Sequence, residues 1–401
     1  MTAQPAAPQP TAAQLNAAAL TALGQGDASR AVPLLEAATA ADPAGLPLWL
    51  NLAAARRMLA DTPGERAALK RALEVDQRDL TANLRLAELH EREGERAQAA
   101  LRWGGVLMIA GQLPNRTPAL ESALAHAQAY LADYNTGYAR AIDTALAPVR
   151  ETADAAELRR FDACVAAATG RRRIYTNNCE GVHFPFLPAD EFFERKHFPW
   201  LANLEAATPA IRAEFEALIA SGGEGISPYV EMAPGTPRNI WSELDGKLDW
   251  GAFFLWKFGD RIEENIARTP ETARTLSQLP LAEMPRRAPT AFFSILKPGT
   301  RLPPHTGVSN LRAICHLALV VPPGCGFRVG GEVREWREGE AFVFDDTIEH
   351  EAWNDSNRLR AVLIFDVWNP HLTPRERTLM QDYFRIADSS GYDPAVSRVS
   401  D

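Results

Sequence analysis

A 34-residue interval recurs through the first hundred residues and leaves that part of the chain few ways to fold. It aligns Leu15 with Trp49, Ala18 with Leu52 and Leu86, and Ala19 with Ala53 and Ala87. In a second helical stretch of each unit it aligns Leu35 with Leu69 and Trp103, and Ala38 with Ala72 and Val106. The turns keep the same period, with Gly26, Ala60 and Gly94 between helices and Pro43 ending a helix where the next unit has Gln77. Small residues return where two helices must approach closely, and apolar residues return where one hairpin must bury its face on the next. That is the logic of a stack of helical hairpins. An Ala-rich amphipathic bundle with accidental spacing is the alternative, and it leaves the agreement of so many positions unexplained.

The three units, residues 12–111, resemble tetratricopeptide repeats. The resemblance implies a face that binds a peptide or a protein partner and holds no catalytic group of its own. At 401 residues the chain exceeds the usual single-domain size, so two domains are expected. Residues 1–11, rich in Ala, Pro and Gln, read as a disordered tail, residues 112–170 as a helical linker region, and residues 391–401 as a second tail. A formal charge of −9 with one short basic run, Arg171-Arg172-Arg173, argues against a nucleic-acid partner. Cys164, Cys179, Cys315 and Cys325 form no CxxC pair and no zinc-ligand spacing, which suits a reduced compartment. The sequence has no basic start followed by an apolar core, and no apolar run approaching about 18 residues. No signal peptide and no membrane span are therefore expected, and a cytoplasmic location follows.

After Arg171 the texture changes. Short alternating runs predict strands over 291–296, 314–321, 326–329, 341–344 and 360–368, with helices over 209–220 and 259–277. The fold class expected is α+β multidomain: an all-α repeat array followed by an antiparallel β domain over residues 171–390.

The chemistry concentrates between His305 and Arg360. The two histidines His305 and His350 each stand at the edge of a predicted strand, which is how a β-barrel brings distant residues to one metal. Arg360 shares a strand face with Val362 and Ile364 by the two-residue period. An arginine on an otherwise apolar inner face requires an anion, and a dicarboxylate cosubstrate would supply one. Non-haem Fe(II) oxygenases usually hold iron with two histidines and a carboxylate, but the residue two after His305 is Gly307.

Four stretches carry a resemblance that accounts for this glycine: Pro304-His305-Thr306-Gly307, Cys315-His316-Leu317-Ala318-Leu319-Val320, residues 344–355 (FDDTIEHEAWND) and residues 365–373 (FDVWNPHLT). Together they are similar to the aspartyl/asparaginyl β-hydroxylases, over about residues 172–383. The resemblance implies a double-stranded β-helix, a jelly-roll or cupin relative, using Fe(II), 2-oxoglutarate and O2. It implies that His305 and His350 bind iron, that Gly307 stands at a non-coordinating position where water completes the shell, that Arg360 and Ser294 hold the distal carboxylate of 2-oxoglutarate, and that His316 helps hold that cosubstrate near the metal. Asp345, Asp346 and Glu349 fall in the turn before His350 and are read as supporting groups. His90, His126, His183, His197 and His371 are read as structural.

The positions matching the family's substrate-carboxylate cations are Phe292 and Ile314, which the two-residue period places on the faces of Ser294 and His316. The substrate is therefore expected to be less acidic than a peptidyl aspartate, whether a peptide, a small molecule or an acyl chain, unless Arg312 or Arg261 substitutes. Two rivals stand beside the hydroxylase: a halogenase using the room left by Gly307, and a non-catalytic adaptor built on the repeats.

Overall fold

The computed structural model describes residues 10–391, the side chains of residues 155 and 156 excepted. Apart from Pro10, Thr11 and Gly391, the two expected tails lie outside the described residues. The chain divides into two compact units between Arg171 and Arg172.

The first unit is helical. Its helices are α1 (Ala12–Gly24), α2 (Ala28–Ala41), α3 (Leu46–Met58), α4 (Thr62–Val75), α5 (Leu80–Arg92), α6 (Arg96–Gly111), α7 (Pro118–Arg150) and α8 (Ala155–Ala168). The first six pack as the hairpins α1/α2, α3/α4 and α5/α6, each hairpin lying on the next, and α7 packs on α6. The 34-residue register is a register of contacts: Leu35, Leu69 and Trp103 are buried, as are Ala38, Ala72 and Val106. Ala18 is exposed although its counterparts Leu52 and Leu86 are buried, because no described hairpin precedes the first. Every hairpin turn needs a left-handed residue, supplied by Gly26 (φ 77), Ala60 (φ 54) and Gly94 (φ 75). The residue after each turn stands at the N-cap of the second helix. Asp27 and Asp61 accept from backbone N–H groups, whereas the longer Glu95 instead binds Arg66 and His90. Leu124 and Ala127 of α7 close the apolar end of the stack, in a cluster with Trp103 and Val106.

The second unit is α+β. A 3-10 turn and helices α9 (Leu201–Ala206) and α10 (Thr208–Ala220) precede strands β1 (Ser227–Pro228), β2 (Trp250–Lys257) and β3 (Asp260–Arg261). Helices α11 (Glu263–Arg268) and α12 (Pro270–Leu276) lead to β4 (Ala291–Leu296), β5 (Arg301–His305), β6 (Arg312–Val320), β7 (Cys325–Val329), β8 (Glu332–Arg334), β9 (Ala341–Phe344), β10 (His350–Asn354) and β11 (Arg360–Trp368), and α13 (Pro374–Ser389) follows. The helix expected over 259–277 is not continuous. Gly259 (φ 93) turns the chain into β3, which pairs with β2, and Pro270 starts a separate helix.

All strand pairs are antiparallel. The larger sheet runs β1-β2-β4-β11-β6-β9 with β3 on β2, and the smaller runs β5-β10-β7-β8. Alternation along β11 assigns the two faces. Ala361, Leu363, Phe365 and Val367 enter a core with Phe215 of α10 and Leu276 of α12, while Val362 enters a second core with Phe327 of β7 and Ala352 of β10. The larger sheet is thus covered by helices on one face and by the smaller sheet on the other. Arg360, Val362, Ile364 and Asp366 share the face turned to the smaller sheet, and all but Val362 line the cavity between the sheets.

Candidate active site

His305 and His350 are cross-strand partners on β5 and β10, with ring centroids 4.1 Å apart. Each donates its Nδ1 proton to a carbonyl two residues back, His305 to Pro303 at 2.7 Å and His350 to Ile348 at 3.1 Å. That fixes the tautomer and leaves Nε2 with the lone pair. Burial holds both rings neutral: the pKa of His305 falls to about 4, and that of His350, beside His305, lies well below its ordinary value. Arg328 ties β10 from its other face, binding Glu349 at 3.0 Å and also Glu351. Among the described residues no cluster of three or more His, Cys, Asp or Glu could hold a metal, so the pair stands without a carboxylate partner.

Asp346 explains how Gly307 is used. A Cβ on Gly307 would lie 2.1 Å from Asp346 Oδ2, so the carboxylate occupies the space a side chain there would need. Gly307 N–H also donates to the Asp346 carbonyl at 2.6 Å. Burial pushes the Asp346 carboxyl up to about 7, and its Oδ1 has no hydrogen-bond partner among the described residues. Arg312 holds the other side, 3.5 Å from Asp346 Oδ2 and 3.0 Å from Asp366 Oδ2. Asp345 is structural: it accepts from Thr347 N–H at 3.0 Å and from Asn177 Nδ2 at 2.7 Å.

The other end of the cavity presents donors. Arg360 is fully buried, with Trp336 4.8 Å away in ring contact, and it donates to Ser294 Oγ at 3.3 Å. No carboxylate among the described residues pairs with it, and its Nε lacks an acceptor. Burial lowers its pKa to about 10, which leaves it charged at neutral pH. Ser294 Oγ also accepts from Trp250 Nε1 at 3.0 Å. Having accepted from two donors, the hydroxyl keeps its own proton to give. Trp336 Nε1 donates to Nδ1 of His316 at 3.4 Å, so His316, held neutral by burial, carries its proton on Nε2. The cavity, about 800 Å³, is lined by His305, His350, Gly307, Arg360, Ser294 and His316, and also by Phe292 and Ile314.

Sequence reasoning does not single out Trp250, Trp336, Trp241 or Tyr229, and it gives Asp346 only a supporting place in the turn. Trp250 lies in β2, whose run WGAFFLWK is buried on both faces and so lacks the alternation that marks a half-buried strand. Trp336 lies in the turn between β8 and β9, where no periodicity exists to find it. Neither Arg312 nor Arg261 is a spare cation: Arg312 is paired as described, and Arg261 binds Glu263 and packs on Trp256. The remaining histidines have protein partners, His90 with Glu95, His126 with Glu91, His183 with Cys179 and His197 with His371.

Residues 205–370 match the family described as Aspartyl/Asparaginyl beta-hydroxylase. The aspartyl/asparaginyl beta-hydroxylase of Homo sapiens is 42% identical over 135 residues, 33% of this chain and 18% of that protein. The ornithine lipid ester-linked acyl 2-hydroxylase of Rhizobium tropici is 35% identical over 185 residues, 45% of this chain and 62% of that protein. The chain thus spans less than two thirds of the length of these relatives. Solved structures similar to the helical part include PcrH in complex with the chaperone binding region of PopD (21% identity, 31% of this chain, 92% of that one, TM-score 0.28). Another is the Sgt2 TPR domain of Aspergillus fumigatus (20% identity, 34% of this chain, 89% of that one, TM-score 0.29).

Proposed function

We propose that the second unit, similar to the aspartyl/asparaginyl β-hydroxylases and to related hydroxylases, is an Fe(II)- and 2-oxoglutarate-dependent hydroxylase of an unactivated C–H bond. The observation that carries this reading is one cavity that joins two facing neutral imidazoles to a buried guanidinium with no protein carboxylate.

The residues fit both groups. His305 and His350 offer two Nε2 lone pairs in fixed tautomers, the donor set a divalent iron takes from imidazole. Arg360, the Ser294 hydroxyl and His316 Nε2–H form an all-donor cradle, which matches a carboxylate and would leave a neutral ligand poorly paired. Iron with 2-oxoglutarate and O2 supplies the oxidising power to break the C–H bond, giving succinate and carbon dioxide as co-products. The protein's own contribution is positional: Arg360 anchors the cosubstrate, the two tryptophans set the direction of the cradle's protons, and the walls exclude water. Asp346 lines the cavity beside Gly307 and keeps one carboxyl oxygen without a protein partner, so it would support a water there.

The helical array is proposed to bind a peptide or protein partner, and among the described residues no helix is long and apolar enough to cross a membrane. Halogenation is disfavoured because the space beside Gly307 is bordered by the Asp346 carboxyl, whose oxygens suit a water donor and not a halide. The test is succinate formation from 2-oxoglutarate by the anaerobically Fe(II)-loaded protein exposed to O2 with candidate substrates, His350→Ala being the control. Turnover lost in the variant supports the hydroxylase, and absence of both iron and 2-oxoglutarate binding overturns it in favour of the adaptor. A chlorinated product in chloride buffer would favour the halogenase instead.

A further inference from the structure

One wall of the cavity is a track of aromatic rings that begins at the histidine pair and ends at a lysine. Trp241 meets His305 edge-on at 4.7 Å, and Trp250 lies 5.9 Å from Trp241. Tyr229 stacks on Trp250 at 3.8 Å, Phe292 lies 5.2 Å from Tyr229, and Phe254 lies 5.1 Å from Phe292. Lys257 closes the series, its Nζ 4.8 Å from the centre of the Phe254 ring. Sheet register explains the alignment: Phe254 and Ile364 are both cross-strand partners of Phe292, so three apolar side chains stand in a row on the face turned to the cavity.

The charges on this cavity are unevenly committed. Arg312 is held by Asp366 and Asp346, and Arg360 belongs to the donor cradle. Lys257 is exposed and makes no ion pair within 4.0 Å among the described residues, although Asp260 is its cross-strand neighbour. A ligand carboxylate placed close to the histidines would meet Phe292 and Ile314, with the buried Asp346 and Asp366 nearby, and would lack a free cation. The same carboxylate placed at the far end of the track would meet Lys257.

We infer that the substrate is an amphiphile, an aliphatic tail with an anionic head group, the head at Lys257 and the tail along Phe254, Phe292 and Tyr229 towards His305. The expectation of a less acidic substrate, drawn from Phe292 and Ile314, is thereby confined to the end near the histidines. The hydroxylation step rests on the functional reading above; the binding mode does not. In that step a C–H bond of the aliphatic tail breaks and a C–O bond forms. One atom of O2 enters the new hydroxyl and the other enters succinate, while 2-oxoglutarate loses its first carboxyl as carbon dioxide. The C–H bond and the decarboxylation each supply two of the four electrons that reduce O2.

The test is calorimetric binding to the 401-residue chain, with and without anaerobic Fe(II) and 2-oxoglutarate. The probes are sodium dodecanoate below its micelle concentration, dodecyl phosphate, dodecanol and an aspartyl peptide. At least one anionic amphiphile is expected to bind tenfold or more tightly than dodecanol, with the better of the two identifying the head. Lys257→Glu, a surface change, should abolish that preference, and Phe292→Lys should weaken binding of the aliphatic tail tenfold with an unchanged circular dichroism spectrum. Equal binding of dodecanol, an unchanged Lys257→Glu variant, or binding of the aspartyl peptide alone overturns the inference. Admitting O2 separates the two readings. Amphiphile binding without succinate formation removes the hydroxylase and leaves the ligand class standing, whereas succinate formation driven only by the aspartyl peptide does the reverse.

Discussion

The indole N–H of Trp336 donates to Nδ1 of His316 at 3.4 Å, and the same indole lies 4.8 Å from the guanidinium of Arg360. One side chain therefore sets the tautomer of one cradle group and supports the other. Trp336→Phe keeps the aromatic surface and removes the donor. A neutral hydrogen bond is worth about 1 kcal/mol, so 2-oxoglutarate affinity should fall roughly fivefold with little change in melting temperature. The imidazole 15N shifts of His316 should move towards a mixed tautomer. Unchanged shifts would mean that the hydrogen bond does not govern the ring.

Arg360 is a buried cation with no carboxylate partner among the described residues, a costly arrangement. Arg360→Met should leave the ligand-free melting temperature equal or higher while weakening 2-oxoglutarate binding by about 100-fold, the loss of ~3 kcal/mol expected for a charged hydrogen-bonded pair. A variant that melts much lower would show that Arg360 is structural.

Gly307→Ala places a Cβ against the Asp346 carboxylate. Overpacking of this kind costs about 1–3 kcal/mol, and the displaced turn should also lower iron affinity. The double variant Gly307→Ala/Asp346→Ala should recover part of the stability, because the two changes share one space. Simple additivity in denaturant unfolding would contradict the steric account.

Ala60 stands in the left-handed region that Gly26 and Gly94 occupy in the neighbouring repeats. Relief of that strain outweighs glycine's extra entropy, so Ala60→Gly should stabilise the array by about 0.5–1 kcal/mol. Gly26→Ala and Gly94→Ala should destabilise it by about 1 kcal/mol each. Thermal unfolding followed by circular dichroism reads all three.

The lowered pKa of His305 has a definite sign for stability. Its folded value near 4 lies below the ordinary 6.5, so the unfolded state binds more protons between those limits and stability rises with pH across them. Metal-free wild type should therefore lose stability relative to His305→Ala as pH falls from 6.5 to 4, and the difference should be flat above 7. Taking the difference cancels the opposing contribution of Asp346, whose raised value near 7 stabilises the fold at acid pH and is lost as pH rises.

What the order of residues holds by itself is local periodicity and the succession of chemical groups. The 34-residue interval identifies the helical hairpins because each repeat's contacts lie within one period, so Leu35, Leu69 and Trp103 report the same environment three times. Strands at 291–296, 341–344 and 360–368 are legible from short apolar runs, whereas the segment after Gly259 reads as one helix because a turn residue and a proline interrupt an otherwise helical composition. Arg360 stands out as an arginine on an apolar strand face, which requires an anion, while the roles of His305 and His350 are legible through the family resemblance. Tertiary structure alone decided that His305 and His350 oppose each other across β5 and β10, that Asp346 fills the space beside Gly307, and that Trp250 and Trp336 aim the cradle's protons. These relations depend on strand register and on hydrogen bonds between residues 20 to 45 positions apart, and distances of that kind leave no periodic mark on a sequence.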